Sequence, residues 1–196
     1  MKRNTVAMVE QPSKVVEAQQ VFADKTESDV IQAAQQGDKR AYKKLYDAHV
    51  GRVYALCLRL TGERTMAEDA TQEVFIQLWD KLGNFNAQSK FTTWLHSVTS
   101  NITISYIRKQ KGWFQRTFNI EDSSVMQQSA ESSSDTISLD EYVLRLPERA
   151  RHVFVLHALE GYRHEEIADM LNMAVGSSKA QFHRAKQLLT EWLGNE

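Results

Sequence analysis

Two prolines and eight glycines in 196 residues leave this chain few places where it must stop, and its apolar residues recur at intervals of three and four. That pattern predicts helices nearly throughout and no strand, since a strand would need strict alternation. One stretch breaks the rhythm. Between about 112 and 138 periodicity vanishes, and Ser123, Ser124, Ser129 and the run Ser132-Ser133-Ser134 give the composition of a flexible tether. The expected fold is all-α, with two small helical domains joined by a flexible Ser-rich linker, the C-terminal one a helix-turn-helix. The expected boundaries are a polar N-terminal leader over 1–26, a helical domain over 27–111, the linker over 112–138 and a second domain over 139–196.

Punctuation residues place the helices. Thr26 with Asp29 three positions on reads as a cap and its partner, Gly37 closes that short helix, and Asp38 caps the next. That second helix carries Ala41, Leu45, Ala48, Val53, Leu56 and Leu60 inward until Thr61-Gly62 interrupts it. A third runs from about Thr65 to Leu82 and stops at Gly83, with Ala70, Val74, Leu78 and Leu82 on one face. A fourth, from about Phe91 to Lys109, turns Leu95, Val98, Ile102 and Tyr106 inward and leaves Thr92, His96, Thr99 and Thr103 on another side. After the linker, helices are expected over 139–146, from Pro147 to about Leu159, from His164 to Leu171 and from Val175 to Leu193.

Charge is distributed unevenly along this framework. The net value of −1 hides a segment, Lys81 to Ile120, with no acid at all; Lys81, Lys90, Arg108, Lys109, Lys111 and Arg116 lie there among Phe85, Phe91, Trp94, Tyr106, Trp113 and Phe114. Just before it, Glu63, Glu68, Asp69, Glu73 and Asp80 face a single Arg64. Cations interleaved with rings are what a polyanion requires.

The C-terminal segment has the layout of a DNA reader. His164-Glu165-Glu166-Ile167-Ala168-Asp169-Met170-Leu171, then Asn172-Met173-Ala174, then Val175 onward puts small Ala168 where two helices cross and Asn172 where a turn needs a left-handed residue. The last helix places Val175, Ser178, Phe182, Ala185 and Leu189 on one face. Ser177, Lys179, Gln181, His183 and Arg184 fall elsewhere, and no acid occurs between Leu171 and Thr190. This makes a major-groove face.

Several classes are excluded. The one cysteine, Cys57, sits between two leucines and forbids an internal disulfide. No apolar run approaches the roughly 20 residues that span a bilayer, and residues 1–24 lack an apolar signal core, so a cytoplasmic protein is expected. The six histidines are scattered, with no His-Glu-x-x-His, no phosphate loop and no nucleophile elbow. No enzyme, metal or cofactor is expected.

Leu146-Pro147-Glu148-Arg149, Glu160-Gly161-Tyr162, His164-Glu165-Glu166-Ile167-Ala168 and Val175 through Ala185 resemble the −35-reading domain of a bacterial sigma factor. Gly37-Asp38 with Ala41-Tyr42 and Leu45-Tyr46, Ala67 through Phe75, and Phe91-Thr92-Thr93-Trp94-Leu95 resemble the same family's −10-binding domain. The chain is most similar to the small extracytoplasmic-function (ECF) type. The resemblance implies docking to core RNA polymerase through the third helix, where Asp69, Gln72, Glu73, Phe75 and Trp79 match the contact positions. It implies that the loop after that helix and the fourth helix meet the −10 element, with Asn84, Asn86, Phe91, Trp94, Asn101, Arg108, Lys109 and Lys111 as the candidates. It implies −35 contacts by the last helix and restraint by an anti-sigma protein, often membrane-anchored. Where the family usually has a buried Val, a frequent Arg and a capping Ser, this chain has Ser178, Gln181 and Ala174. The competing reading is a helix-turn-helix regulator acting without polymerase, which would have no need of the Asp69–Trp79 face.

Overall fold

The structure, a computed structural model, describes residues 27–118 and 139–194, with side chains to residue 112 in the first stretch. The leader, the Thr26 cap, the serine runs and the side chains of Trp113, Phe114 and Arg116 lie outside the described residues. Every element among the described residues is helical. These are α1 over 27–35, α2 Lys39–Thr61, α3 Arg64–Lys81 followed by a 3-10 turn Leu82–Asn84, α4 Phe91–Phe118, α5 Leu139–Arg145, α6 Glu148–Phe154 continuing as a π-helical turn Val155–Leu159, α7 His164–Leu171 and α8 Val175–Leu193.

The ends lie where local chemistry puts them. Gly37, at φ +90°, ends α1, and the Asp38 carboxylate accepts from the N–H groups of Arg40 at 2.7 Å and Ala41 at 3.2 Å to start α2. Gly62, at φ +74°, ends α2. Glu63 caps α3 by accepting from Thr65 N–H at 2.8 Å and Met66 N–H at 2.7 Å. One boundary differs from expectation: α4 runs to Phe118 rather than to about Lys109, so the helix enters the stretch read as tether. Gly112 alone does not break it, since a single interior glycine costs only about 1 kcal/mol.

By packing, the chain divides between Ala48 and His49. Within the second unit, α3 lies along α4 and buries Ala67, Ala70, Thr71, Val74, Phe75 and Leu78. A shared apolar cluster joins Leu56 and Leu60 of α2, Ile104 and Ile107 of α4, and Val143, Val153, Val155, Leu156 and Ile167 of the C-terminal helices. The interior of α4 is more polar than expected. Thr99 and Thr103, read as outward, are fully buried with Ser100, while Val98 and Tyr106 are half-buried. Thr99 satisfies its hydroxyl on its own helix, donating to Leu95 O at 2.8 Å, and Thr103 Oγ1 lies 3.3 Å from Cys57 Sγ. Hydroxyls that close on local partners can enter a core cheaply.

Polar contacts pin the C-terminal helices to the end of α2. Arg151 donates to Thr61 O at 3.0 Å and to Leu144 O and Leu146 O at 3.3 Å each. His152 Nε2–H donates to Leu60 O at 2.9 Å. These side chains satisfy carbonyls that a helix end leaves without partners. Arg59 binds Asp140 through two hydrogen bonds, 2.8 and 3.0 Å, and Lys111 binds Glu148 at 2.7 Å.

Burial brings the His152 pKa down to about 4, Glu148 opposing. The folded value lies below the ordinary 6.5, so the neutral ring contributes stability that is complete above about pH 6.5 and drains away as pH falls toward 4. Glu148 acts in the same direction: burial pushes its carboxyl up, but Lys111 and His152 hold it below the usual carboxylate range. Urea midpoints are therefore expected to be flat above pH 7 and to decline steadily from 6.5 to 4. A flat profile across that acid range would contradict the assignment.

Candidate nucleic-acid interface

At about 100° per residue, Asp69, Gln72, Glu73, Ile76 and Asp80 form one stripe on α3. Asp69, Gln72 and Asp80 are exposed and Glu73 is half-buried. Tyr106 donates its hydroxyl to Asp69 at 3.2 Å, and Gln77 pairs with Glu73. One aromatic expectation needs correction on this face. Phe75 is buried, with 6% of its surface exposed, and supports the stripe from within; Trp79 is half-buried at its margin. The apolar group that stands out is Ile76, 64% exposed. Sequence reasoning missed it because Phe75 and Ile76 are adjacent, and one step along the helix decides between inside and outside.

The second surface begins at the aromatic cluster that opens α4. Phe91 is buried, at 4% exposure, so it is a platform rather than a stacking ring. Its ring packs against His49 at 5.3 Å, Phe85 at 5.4 Å and Trp94 at 5.9 Å, and Phe85 and Trp94 meet at 5.3 Å. Phe85 and Trp94 are half-exposed above it. In the preceding loop Asn84 and Asn86 are exposed; Asn86 accepts from Gln88 N–H at 3.2 Å, and Ala87 takes a positive φ of 59°.

From Trp94 the stripe continues along α4 through Ser97, Asn101, Ser105 and Arg108, with Lys109 at its edge, over about 21 Å of helix. Ser97, Asn101, Ser105, Arg108 and Lys109 are all exposed. The arrangement puts half-exposed rings at one end, short polar groups along the middle and two cations at the other end. Ser105 was missed in the sequence, although its spacing of eleven from Trp94 puts it on this face. Lys111 is exposed but lies off the stripe and pairs with Glu148.

The third surface is α8. Asn172, at φ 49° and ψ 57°, makes the left-handed turn, and Met173 N–H donates to Ala168 O at 2.9 Å. Ala174 precedes α8 with no side-chain cap. Ser178, Ala185 and Leu189 are buried, as the pattern implied. Ser177, Lys179, His183 and Arg184 are exposed and Gln181 is half-buried. Ser177, Gln181 and Arg184 share one flank of the outward arc, while Lys179 and His183 share the other.

The family model described as Sigma-70 region 2 matches residues 45–112, and the model described as Sigma-70, region 4, matches residues 136–189. Together they take in α3, α4 and the helix-turn-helix in the order expected of one protein. The chain belongs to the sigma-70 family, as a sigma factor of the ECF type. It is similar to the ECF RNA polymerase sigma factor SigW of Bacillus subtilis strain 168, at 29% identity over 176 residues, 83% of this chain and 94% of the relative. It is 30% identical over 167 residues to the ECF RNA polymerase sigma factor SigE of Mycolicibacterium smegmatis, covering 80% of this chain and 64% of that one. Its fold is similar to that of the Bartonella quintana sigma factor RpoE, crystallised with the anti-sigma factor NepR, with a TM-score of 0.52 and 24% identity over 78% of this chain and 96% of that one. As an ECF sigma factor it is a DNA-binding transcription initiation factor. No described helix of this sigma factor is long and apolar enough to cross a membrane.

Proposed function

We infer that this sigma factor docks on core RNA polymerase through the Asp69–Asp80 stripe of α3, reads the −10 element with the Asn84–Lys109 surface and reads the −35 element with α8. Residues 27–111 form the polymerase and −10 unit, and residues 139–196 the −35 unit. The observation that carries the reading is the Trp94-to-Lys109 stripe, on which rings, short polar groups and cations follow one another without an acid. Unpaired bases stack on Phe85 and Trp94, the Asn and Ser side chains meet base edges, and Arg108 and Lys109 take phosphates. Capture of each base contributes about 1–3 kcal/mol, so strand separation needs no nucleotide hydrolysis and the protein performs no catalysis of its own. It works in the cytoplasm and takes an anti-sigma protein as its restraining partner.

The test is run-off transcription with purified core polymerase over a range of salt. Arg108→Ala with Lys109→Ala should slow promoter opening about tenfold or more and make the log–log salt dependence shallower by about 1.4, since each lost single-strand phosphate contact removes about 0.7. An unchanged slope would remove these two residues from the DNA path.

A further inference from the structure

The recognition helix α8 begins with an unusual deficit. Ala174 stands at its N-cap in extended conformation, φ −69° and ψ 147°, and offers no side-chain oxygen to the first turn. A missing cap ordinarily costs about 1 kcal/mol and frees the first turn to fray, yet the groups read as base contacts start in that turn.

A different device holds it. His164, the first residue of α7, places Nδ1 2.9 Å from Ser178 Oγ, and Ser178 is fully buried one turn into α8. The His164 ring stacks on His157 of the π-helical turn, with centroids 4.2 Å apart and planes 23° apart. His157 in turn has Nδ1 2.7 Å from Tyr162 O; a carbonyl can only accept, so that nitrogen carries the proton. His157 also meets Phe182 edge-on at 4.6 Å, and His164 meets it at 5.8 Å. Phe182 lies one turn beyond Ser178. The π-helical turn, α7 and α8 are thus joined by one hydrogen bond and a ladder of three rings, anchored on α8 at positions 178 and 182. Ser177 and Gln181 are the immediate neighbours of those anchors, so whatever fixes the anchors fixes the rotation of the readers.

We propose that His164, braced by His157 and bonded to Ser178, is the positioning residue of the −35-reading helix, setting the rotation at which Ser177, Gln181 and Arg184 meet base edges. This rests on the reading of α8 as the −35 reader. It also gives the buried Ser178 hydroxyl a role: an apolar residue there would leave His164 Nδ1 without its partner.

The brace is favoured by an uncharged His164, since a charged ring would stand against His157 and Lys179. Partial burial comes first in holding its pKa below the usual histidine value, followed by His157 and Lys179, with Glu165 opposing. The charged and titratable groups around it are His157 from the π-helical turn, Lys179 from α8 and Glu165 from its own helix. Lys186 sits over the Phe182 ring at 5.4 Å, and His96 of α4 is taken up by Glu160 at 3.0 Å. Acid charges His164 beside a second imidazole and a lysine, loosening the brace. Because the folded pKa is depressed, the bracing is complete above about pH 6.5 and weakens as pH falls below it. The exposed cations of α8 attract phosphates whatever the sequence, so the informative quantity is discrimination between sequences, not affinity.

The experiment uses the full chain bound to core polymerase. It compares affinity for a promoter recovered by run-off transcription over genomic fragments with affinity for the same duplex carrying a scrambled −35 element, at pH 7.5 and 6.0. His164→Leu keeps bulk but loses the bond, Ser178→Ala removes its partner, and His164→Gln keeps a bonding group that does not titrate. Expected at pH 7.5 is an approximately tenfold loss of discrimination for His164→Leu and Ser178→Ala, about what one misaimed base contact costs, with core-polymerase affinity unchanged. His164→Gln should keep the discrimination and lose its decline at pH 6.0. The proposal is overturned if His164→Leu discriminates as the parent does, if core affinity falls by the same factor, or if His164→Gln keeps the parent's pH profile. A parent chain indifferent to scrambling would instead overturn the assignment of α8 to the −35 element.

Discussion

Replacing Gly62 with valine is expected to destabilise the protein by about 4 kcal/mol or more, a large share of the roughly 5–15 kcal/mol that holds an ordinary domain folded. Two effects combine. A branched residue at φ +74° costs about 1–2 kcal/mol in the left-handed region. A Cβ at this position would also overlap the guanidinium of Arg151, at Cζ and both terminal nitrogens. Arg151 is 7% exposed and holds the Thr61, Leu144 and Leu146 carbonyls. Expelling it breaks those bonds or leaves a buried charge poorly paired, which costs about 3–5 kcal/mol. Gly161 supplies the control, since its φ is +78° but nothing lies within 4 Å of a Cβ there. Gly161→Val should incur the backbone cost alone, and urea denaturation of the two variants separates the effects. Equal losses at both glycines would refute the role given to Arg151.

Ile76→Lys combined with Asp69→Lys is expected to weaken binding to core polymerase about 100-fold or more while leaving the helical signal and melting temperature nearly unchanged. Ile76 exposes 64% of its surface on a helix whose other large apolar residues are buried or half-buried. Seated in a pocket of the polymerase, Ile76 would act as an anchor, and losing such a residue costs about 2 kcal/mol or more. Reversing the neighbouring acid would add repulsion toward any cationic surface that the acidic stripe complements. The folded state loses little, because the one bond at stake is the exposed Tyr106–Asp69 contact at 3.2 Å. Fluorescence titration against core polymerase reads the effect directly; a Kd within twofold of the parent's would take α3 out of the docking surface.

What could be read from the chain and what could not follow a physical line. Gly37, Asp38, Gly62 and Asn172 declared helix ends, because capping and positive φ are decided by a residue and its near neighbours. The inward set of α8 was legible too, since that helix buries a single face. α4 was misread at Thr99 and Thr103 because it is packed on more than one side, by α3 and by the C-terminal helices, and periodicity reports a stripe rather than the number of neighbours. Lys111 looked like a phosphate contact until Glu148, 37 positions away, was found beside it; no local pattern carries that information. Phe75 was named from the resemblance and not from its place around the helix, and the helical angle puts Ile76 outside instead. Ser105 and Ser97 drew no notice because serine is unremarkable in composition and acquires meaning only by lying in line with Trp94 and Arg108.

The π-helical turn carries a surplus residue. Glu160 N–H reaches back five residues to Val155 O at 3.0 Å, so Val155–Leu159 holds one residue more than an ordinary turn would. A chain one residue shorter here could close the same gap as plain α-helix without stretching. The residues of the turn itself would then change their angular positions, by up to about 100° for a shift of one residue, taking His157 off the face that meets His164. The surplus residue acts as a shim: thin, easily lost, and responsible for the angle at which the reading head is mounted.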